Sequence, residues 1–263
     1  MPKDQLRAGS AEARALLDEA LASESGSAML KSALDLYPAV MAQLALKKGA
    51  NSNAQISKDD CEMRESLPDK ASIDSEELMK LFRVKQMKGI VRPNGPQVQS
   101  NKTSEVVKVT TKAFALIRAK VDDVDAKIVE AITEMESLQG VGPATASLVL
   151  SYISPESCAF ASDQVLDVLN RDSSRDYKIA DIVHANQELR ATIEKVGGKG
   201  EWTPESLGMA LFVLGKANDP KVKGILNKLL SSWNSAKGHG KRRAESAEHD
   251  KTDEDPPPKK VKV

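Results

Sequence analysis

Between Ser137 and Ser147 the chain reads Ser-Leu-Gln-Gly-Val-Gly-Pro-Ala-Thr-Ala-Ser, a spacing that lets main chain alone hold an anion. Gly140 and Gly142 tolerate positive φ and carry no side chain that would keep a ligand off the backbone. Pro143 suits the first position of a helix, where a missing N–H loses nothing. The amides that open this helix have no intrahelical acceptor and stand at the positive end of its dipole. A phosphate oxygen fits there without a basic side chain, which makes Gly140, Val141, Gly142, Ala144 and Thr145 the candidate contacts. Upstream, residues 80–102 collect Lys80, Arg83, Lys85, Lys88, Arg92 and Lys102 with no acidic residue among them. Such a patch is either a solvated surface or the face that a polyanion meets. Its coexistence with the glycine turn favours the second, with Lys85, Lys88 and Arg92 as contacts and nucleic acid as the first ligand to consider.

The elements that must position these residues read as almost entirely helical. Val124, Ile128, Ala131, Ile132, Met135 and Leu138 recur at three- and four-residue steps, the buried stripe of one helix. Ala146, Leu148, Val149, Leu150, Tyr152 and Ile153 begin a second. Other helices are expected at 11–22, capped by Ser10, and at 27–46, broken or restarted at Pro38. Further helices are expected from Asp74 or Ser75 through Phe82, over about four turns from Thr103, and at 179–196, 204–214 and 220–233. The polar stretch from Gly49 to Ser72 has little periodicity and reads as an exposed connection. The expected fold class is all-α.

The stretch from Leu138 resembles the helix-hairpin-helix motif Leu-x-Gly-Val-Gly-x-x-Thr-Ala, matching at Leu138, Gly140, Val141, Gly142, Thr145 and Ala146. The resemblance implies backbone contact with duplex DNA, without base reading, over a hairpin of about 124–153. An ordinary tight turn between helices, which often contains glycine, is the alternative. In the helix-hairpin-helix DNA glycosylase superfamily the hairpin is followed by a loop and an Asp-x-His-Val pattern that opens the next helix. Here Ser162-Asp163-Gln164-Val165 lies in that place, so the resemblance makes Asp163 the candidate catalytic acid. A carboxylate beside the sugar stabilises the positive charge left by a departing base and orients a water, once the base is turned out of the stack. Asp163 is equally a good N-cap for the helix that follows.

Two departures from the family pattern bear on chemistry. Lyase-capable members carry Lys immediately before Thr-Ala, and Ala144 has no amine to act there as a covalent nucleophile. Val165 stands where the pattern has His. A segment before the hairpin, Val84-Lys85-Gln86-Met87-Lys88-Gly89-Ile90-Val91-Arg92-Pro93, with Asn101 beyond, resembles the Trp-Lys-x-x-Arg-Gly-x-x-Arg-Pro of a eukaryotic branch of the superfamily. It keeps Lys85, Gly89, Arg92 and Pro93 and has Val84 and Lys88 in place of Trp and Arg. The resemblance spans about 74–214. It implies a monofunctional glycosylase with the hairpin on one wall of a cleft and Lys88 and Arg92 on the other, or a DNA-binding or protein-interaction module that keeps the fold only.

Composition limits the rest. The 263 residues carry 38 basic and 38 acidic side chains, so attraction to DNA must come from a local face. Cys61 and Cys158 are the only cysteines, too few for an iron–sulfur cluster and unsupported as a zinc site; no cofactor or metal is expected. Aromatic residues make up 3%, which leaves few partners for a flipped base. His184 sits in an apolar-periodic helix and reads as structural. One helical domain, 1–234, is expected, followed by a charged Gly- and Pro-rich tail, 235–263, that reads as disordered. The tail holds Lys241-Arg242-Arg243 and Pro256-Pro257-Pro258-Lys259-Lys260-Val261-Lys262. This pair resembles a bipartite nuclear import signal and implies a nuclear import receptor as partner and a nuclear location. The alternative is a solubilising tail. No secretory or membrane-spanning run is visible, and a monomer is expected.

Overall fold

The computed structural model describes residues 3–23, 26–45, 50–89, 91–120, 122–169, 177–197, 200–229 and 231. The described residues include twelve α-helices, in order α1 (Lys3–Leu21), α2 (Gly26–Asp35), α3 (Tyr37–Ala45), α4 (Ala50–Ser66), α5 (Ser75–Lys88), α6 (Gly95–Gln99), α7 (Thr103–Arg118), α8 (Val124–Met135), α9 (Pro143–Ile153), α10 (Asp163–Leu169), α11 (Ile179–Val196) and α12 (Pro204–Leu214), and a further helical run over 223–229. No strand occurs among the described residues, and the fold is all-α. None of their helices is long and apolar enough to cross a membrane. The chain divides into two units, Met1–Leu226 and Asn227–Val263; all twelve helices belong to the first.

Local chemistry starts and stops the helices that frame the site. Asp74 opens α5 with a reciprocal cap: its carboxylate accepts from the Glu77 amide at 2.8 Å, and its own amide donates to Glu77 at 3.1 Å. Asp123 caps α8 through the Ala126 amide. Thr203 caps α12, with Pro204 in the first turn. The four-turn helix expected from Thr103 is α7, which packs along α8 as the most extensive helix pair. Its buried Val106, Val109, Ala113, Phe114 and Ile117 form one stripe, and α8 carries the buried Ile128, Ala131 and Ile132. Helix α9 is buried over nearly its whole length, Thr145 to Ile153, and forms the central post of the fold, in contact with α5, α7, α8 and α11.

Several expectations change. Within the stretch from Gly49 to Ser72, expected to be an exposed connection, the described residues include the seventeen-residue helix α4 (Ala50–Ser66) and a short 3₁₀ turn at Leu67–Asp69. Its inward face carries Asp59, Asp60 and Met63, so it docks through charge and shows little apolar periodicity. Ser10 does not begin a helix, because α1 runs through it from Lys3. The break expected near Pro38 falls at Leu36, between α2 and α3. Helix α5 continues two turns past Phe82, because Val84, Lys85 and Lys88 also face inward. The basic clusters Lys241–Arg243 and Lys259–Lys262 and the expected disorder of 235–263 lie outside the described residues.

Candidate functional site

The hairpin between α8 and α9 is built by two glycines that serve different ends. Gly140 adopts φ +74°, and a Cβ there would lie 2.9 Å from the Gln97 Cβ and 3.0 Å from the Val98 amide nitrogen. It is needed for backbone shape and close approach. Gly142 is extended at φ −103°, ψ 179° and caps α9; a Cβ there would meet nothing within 4 Å. Its importance lies in the space it leaves open.

Two asparagines tie this corner to the segment upstream. Asn101, which the resemblance marked, is buried: its amide donates to the carbonyls of Gln139 (2.9 Å) and Val98 (2.8 Å), and its oxygen accepts from the Gln139 N–H (2.8 Å). Asn94 donates to the Gly140 carbonyl at 2.7 Å. That bond orients its amide, and Asn94 Oδ1 is left buried with no partner among the described residues.

The main-chain cradle is narrower than expected. The Val141 N–H donates to Leu138 O, and those of Thr145 and Ala146 turn back to Gly142 O at 2.9 and 3.0 Å. Pro143 has no N–H. The amides of Gly142 and Ala144 meet no acceptor among the described residues, and both residues are partly exposed. Val141 and Thr145, expected as phosphate contacts, are buried and hold the corner from inside.

The open corner forms one wall of a cavity of about 260 Å³ lined by Gly142, Pro143, Ala144, Thr145, Lys85, Gly89, Arg92, Asn94, Phe160, Ala161, Ser162, Asp163 and Tyr177. The volume is near the lower end for small-molecule pockets, about 300 Å³. Residues far apart in sequence therefore share one space: the end of α5, the start of α9 and the start of α10.

Asp163 is the first residue of α10 and does not cap it. The Ser162 hydroxyl accepts from the Val165 amide at 3.2 Å, and Ser162 O accepts from Leu166 N at 2.9 Å, so the cap is Ser162. The carboxylate is instead turned into the cavity. Its Oδ2 lies 3.4 Å from where a Gly89 Cβ would stand, and its Oδ1 accepts from the Tyr177 hydroxyl. Asp163 is 6% exposed.

The loop that delivers it is pinned from three helices. Ala159 N donates to Asn186 of α11 at 2.8 Å, Phe160 N to Glu205 of α12 at 2.8 Å, and Ala161 N to Ser147 of α9 at 3.3 Å. Three side chains thus satisfy three successive buried amides, which would otherwise each carry a desolvation penalty.

Cations surround the carboxylate at different depths. Lys85 lines the cavity and is 9% exposed. Burial and then the Arg92 charge push its amine below the ordinary lysine range, while Asp163 works the other way. Lys216, just after α12, is also held low by burial, against the attraction of Asp219 and Asp163. The Arg92 guanidinium lies over the Tyr177 ring, 5.4 Å from its centroid.

Lys88 departs from expectation. Rather than standing on the cavity wall opposite the hairpin, it is 2% exposed and lies 3.5 Å from Asp60. Asp60 also accepts from the hydroxyls of Tyr37 and Tyr152, and Arg64 joins Asp60 to Glu205, the latter at 2.8 Å. Spacing along α5 explains the difference. Lys85 and Lys88 are one turn apart on the inward side, but α4 supplies a carboxylate only beneath Lys88. Burial lowers its amine to about 8, against the pull of Asp60.

Sequence reasoning missed Tyr177 and Asn94. Tyr177 adopts φ +53°, a strained conformation for a non-glycine residue, and no local pattern announces it. Asn94 precedes Gly95-Pro96, which reads only as a turn. Of the aromatic residues Tyr37, Phe82, Tyr152, Phe160, Trp202 and Phe212, Phe160 reaches the cavity and the other five are core. No family model, curated protein or solved structure matches this chain.

Proposed function

We propose that this chain is a nuclear DNA-binding protein that holds the duplex backbone at the helix-hairpin-helix corner and removes a base as a monofunctional DNA glycosylase, on a fold of that superfamily's type. The observation that carries the reading is the division of labour at Ser162 and Asp163. With Ser162 capping α10, the Asp163 carboxylate is not taken up by the helix start and lines the cavity instead.

The amides of Gly142 and Ala144 bind a phosphate oxygen, aided by the dipole of α9. Arg92 adds charge at the rim. A nucleotide turned out of the stack brings its sugar between the hairpin and α10. As the bond between C1′ and the base breaks, its electron pair leaves with the base, and the Asp163 carboxylate stabilises the positive charge developing on the sugar. The Tyr177 hydroxyl fixes the carboxylate's orientation. A water on the Asp163 side of C1′ completes the hydrolysis, and the carboxylate accepts its proton. Phe160 supplies an apolar face for the displaced base.

The test is release of base from duplexes carrying alkylated, deaminated or oxidised bases, comparing wild type with Asp163→Asn. Release by wild type and a loss of at least about a hundredfold in the variant is the expected result, within the usual range for a general base. Equal release by the variant rejects Asp163. A second reading, a DNA-binding module without chemistry, is favoured by the small exposure of Asp163 and its satisfied bond to Tyr177; duplex binding without release from any lesion selects it. For the tail, deleting Lys259 to Val263 is expected to lower nuclear accumulation of a fluorescent fusion, and an unchanged distribution rejects the import signal.

A further inference from the structure

One buried side chain of α12 brackets the loop that carries Asp163. The Glu205 N–H donates to Pro155 O at 3.2 Å, and Glu205 Oε2 accepts from the Phe160 N–H at 2.8 Å. Phe160 O accepts from Ser162 N at 2.8 Å, and Ser162 caps α10. A short hydrogen-bonded path therefore leads from Glu205 to the residue beside Asp163. Glu205 is 3% exposed, and a buried carboxylate persists only beside a cation. Arg64 of α4 supplies one, 2.8 Å from the second oxygen, Oε1. An N–H and a guanidinium thus converge on two oxygens, which a carboxylate accommodates and a neutral amide does not. One turn before Arg64 on α4, Asp60 lies 3.5 Å from Lys88 at the end of α5. Both walls of the cavity, the end of α5 and the loop into α10, are therefore tied to a pair of α4 charges that does not line it.

We propose that Glu205 is a positioning residue for base removal: through Phe160 and Ser162 it fixes where the Asp163 carboxylate stands against the α5 wall, while Arg64 neutralises and holds it. The inference rests on the glycosylase reading above. Glu205 projects from the first turn of α12, where the helix dipole favours an acidic side chain, and a hydrogen bond to a carboxylate is short and strong. The loop is therefore held in one place. Tolerance there is small, because Asp163 Oδ2 lies 3.4 Å from where a Gly89 Cβ would stand. A shift of the loop changes the gap between the two walls directly. Misplacing a reacting group by about 1 Å costs about a hundredfold in rate. Glu205 is not among the residues lining the cavity and touches neither sugar nor base.

The test compares two charge-balanced double variants of the full chain. Arg64→Met with Glu205→Met replaces the pair by apolar side chains, a change that folds commonly tolerate, and leaves the Phe160 N–H without its acceptor. Arg64→Met with Glu205→Gln carries the same charge and restores an acceptor. Rates of base release are measured at saturating duplex on a lesion that wild type processes, beside duplex affinity by anisotropy and the thermal midpoint. The first double variant is expected to release base at least about tenfold more slowly than the second, with affinities within about twofold of each other. A pair with only a structural role predicts equal rates, and equal rates overturn the proposal. A difference that appears in affinity and not in rate also overturns it. Should either double variant fail to fold, Glu205→Asp decides, since it keeps both charges but draws the carboxylate back by one methylene. It is expected to lose about tenfold in rate, and wild-type turnover by this variant refutes the positioning role. Base release from no lesion by wild type overturns the glycosylase reading and this inference with it. Release by wild type with undiminished rates in the variants removes this inference alone.

Discussion

In Gly142→Asn the new side chain enters open space, since a Cβ at this position meets nothing within 4 Å and the backbone is extended. Asn is at least as good an N-cap as Gly, so folding stability is expected to stay within about 0.5 kcal/mol of wild type. The same side chain occupies the volume in front of the Gly142 and Ala144 amides. Losing one hydrogen bond to a charged phosphate costs about 1.5–3 kcal/mol, which is roughly a ten- to hundredfold loss of affinity. Because the lost donor is neutral, the slope of log affinity against log salt should not change, whereas Arg92→Ala should flatten it by about 0.9. Gly142→Asp adds repulsion of at least about 1 kcal/mol for charges about 4 Å apart in water, so it should bind more weakly still. Fluorescence anisotropy with two duplexes of unrelated sequence, at several salt concentrations, reads all three. Gly140→Ala serves as the contrast: it forces φ +74° on a Cβ that is also overpacked against Gln97, and should cost about 1–3 kcal/mol in thermal unfolding. Unchanged binding by Gly142→Asn, or a loss confined to one duplex, refutes the anion cradle.

Ser162→Ala should lower stability by about 1 kcal/mol, the usual worth of an N-cap; an unchanged midpoint in denaturant titrations would return the cap to Asp163. Lys88 titrates near 8 in the fold and at the ordinary 10.5 when unfolded, so between these values the unfolded chain binds more protons. Relative to Lys88→Met, wild-type stability should therefore rise with pH across this window, by up to about 1.4 kcal/mol per pH unit. A flat difference between pH 7.5 and 9.5 would show that burial does not depress the Lys88 amine. Below the window Lys88→Met also leaves Asp60 with one fewer cation, a change that commonly costs about 3–5 kcal/mol for a buried pair.

The apolar stripes of α7 and α8, the cap at Asp74 and the Gly-Val-Gly-Pro corner were legible in the sequence, because each rests on contacts or torsions only a few residues apart. Helix identity along 103–153 and 179–214 follows from the same local rules. Helix α4 was not legible. Its inward face is Asp59, Asp60 and Met63, and a carboxylate is a plausible inward residue only once Lys88, Arg64 and two tyrosines from other helices are known to meet it. The basic patch was visible as composition, but composition does not distinguish a lysine on the cavity wall from one sealed beneath it. Lys85 and Lys88 are separated by one turn and by what α4 places opposite them. Likewise, Ser162 and Asp163 are both good N-caps by type, and the choice between them was made by the backbone of 159–162, held by Asn186, Glu205 and Ser147. What the chain carries locally is its helices and its glycine corner. Which charges are buried and which carboxylate faces the cavity was decided by long-range packing, because the free energy of a charge depends on neighbours that the sequence brings from anywhere along its length.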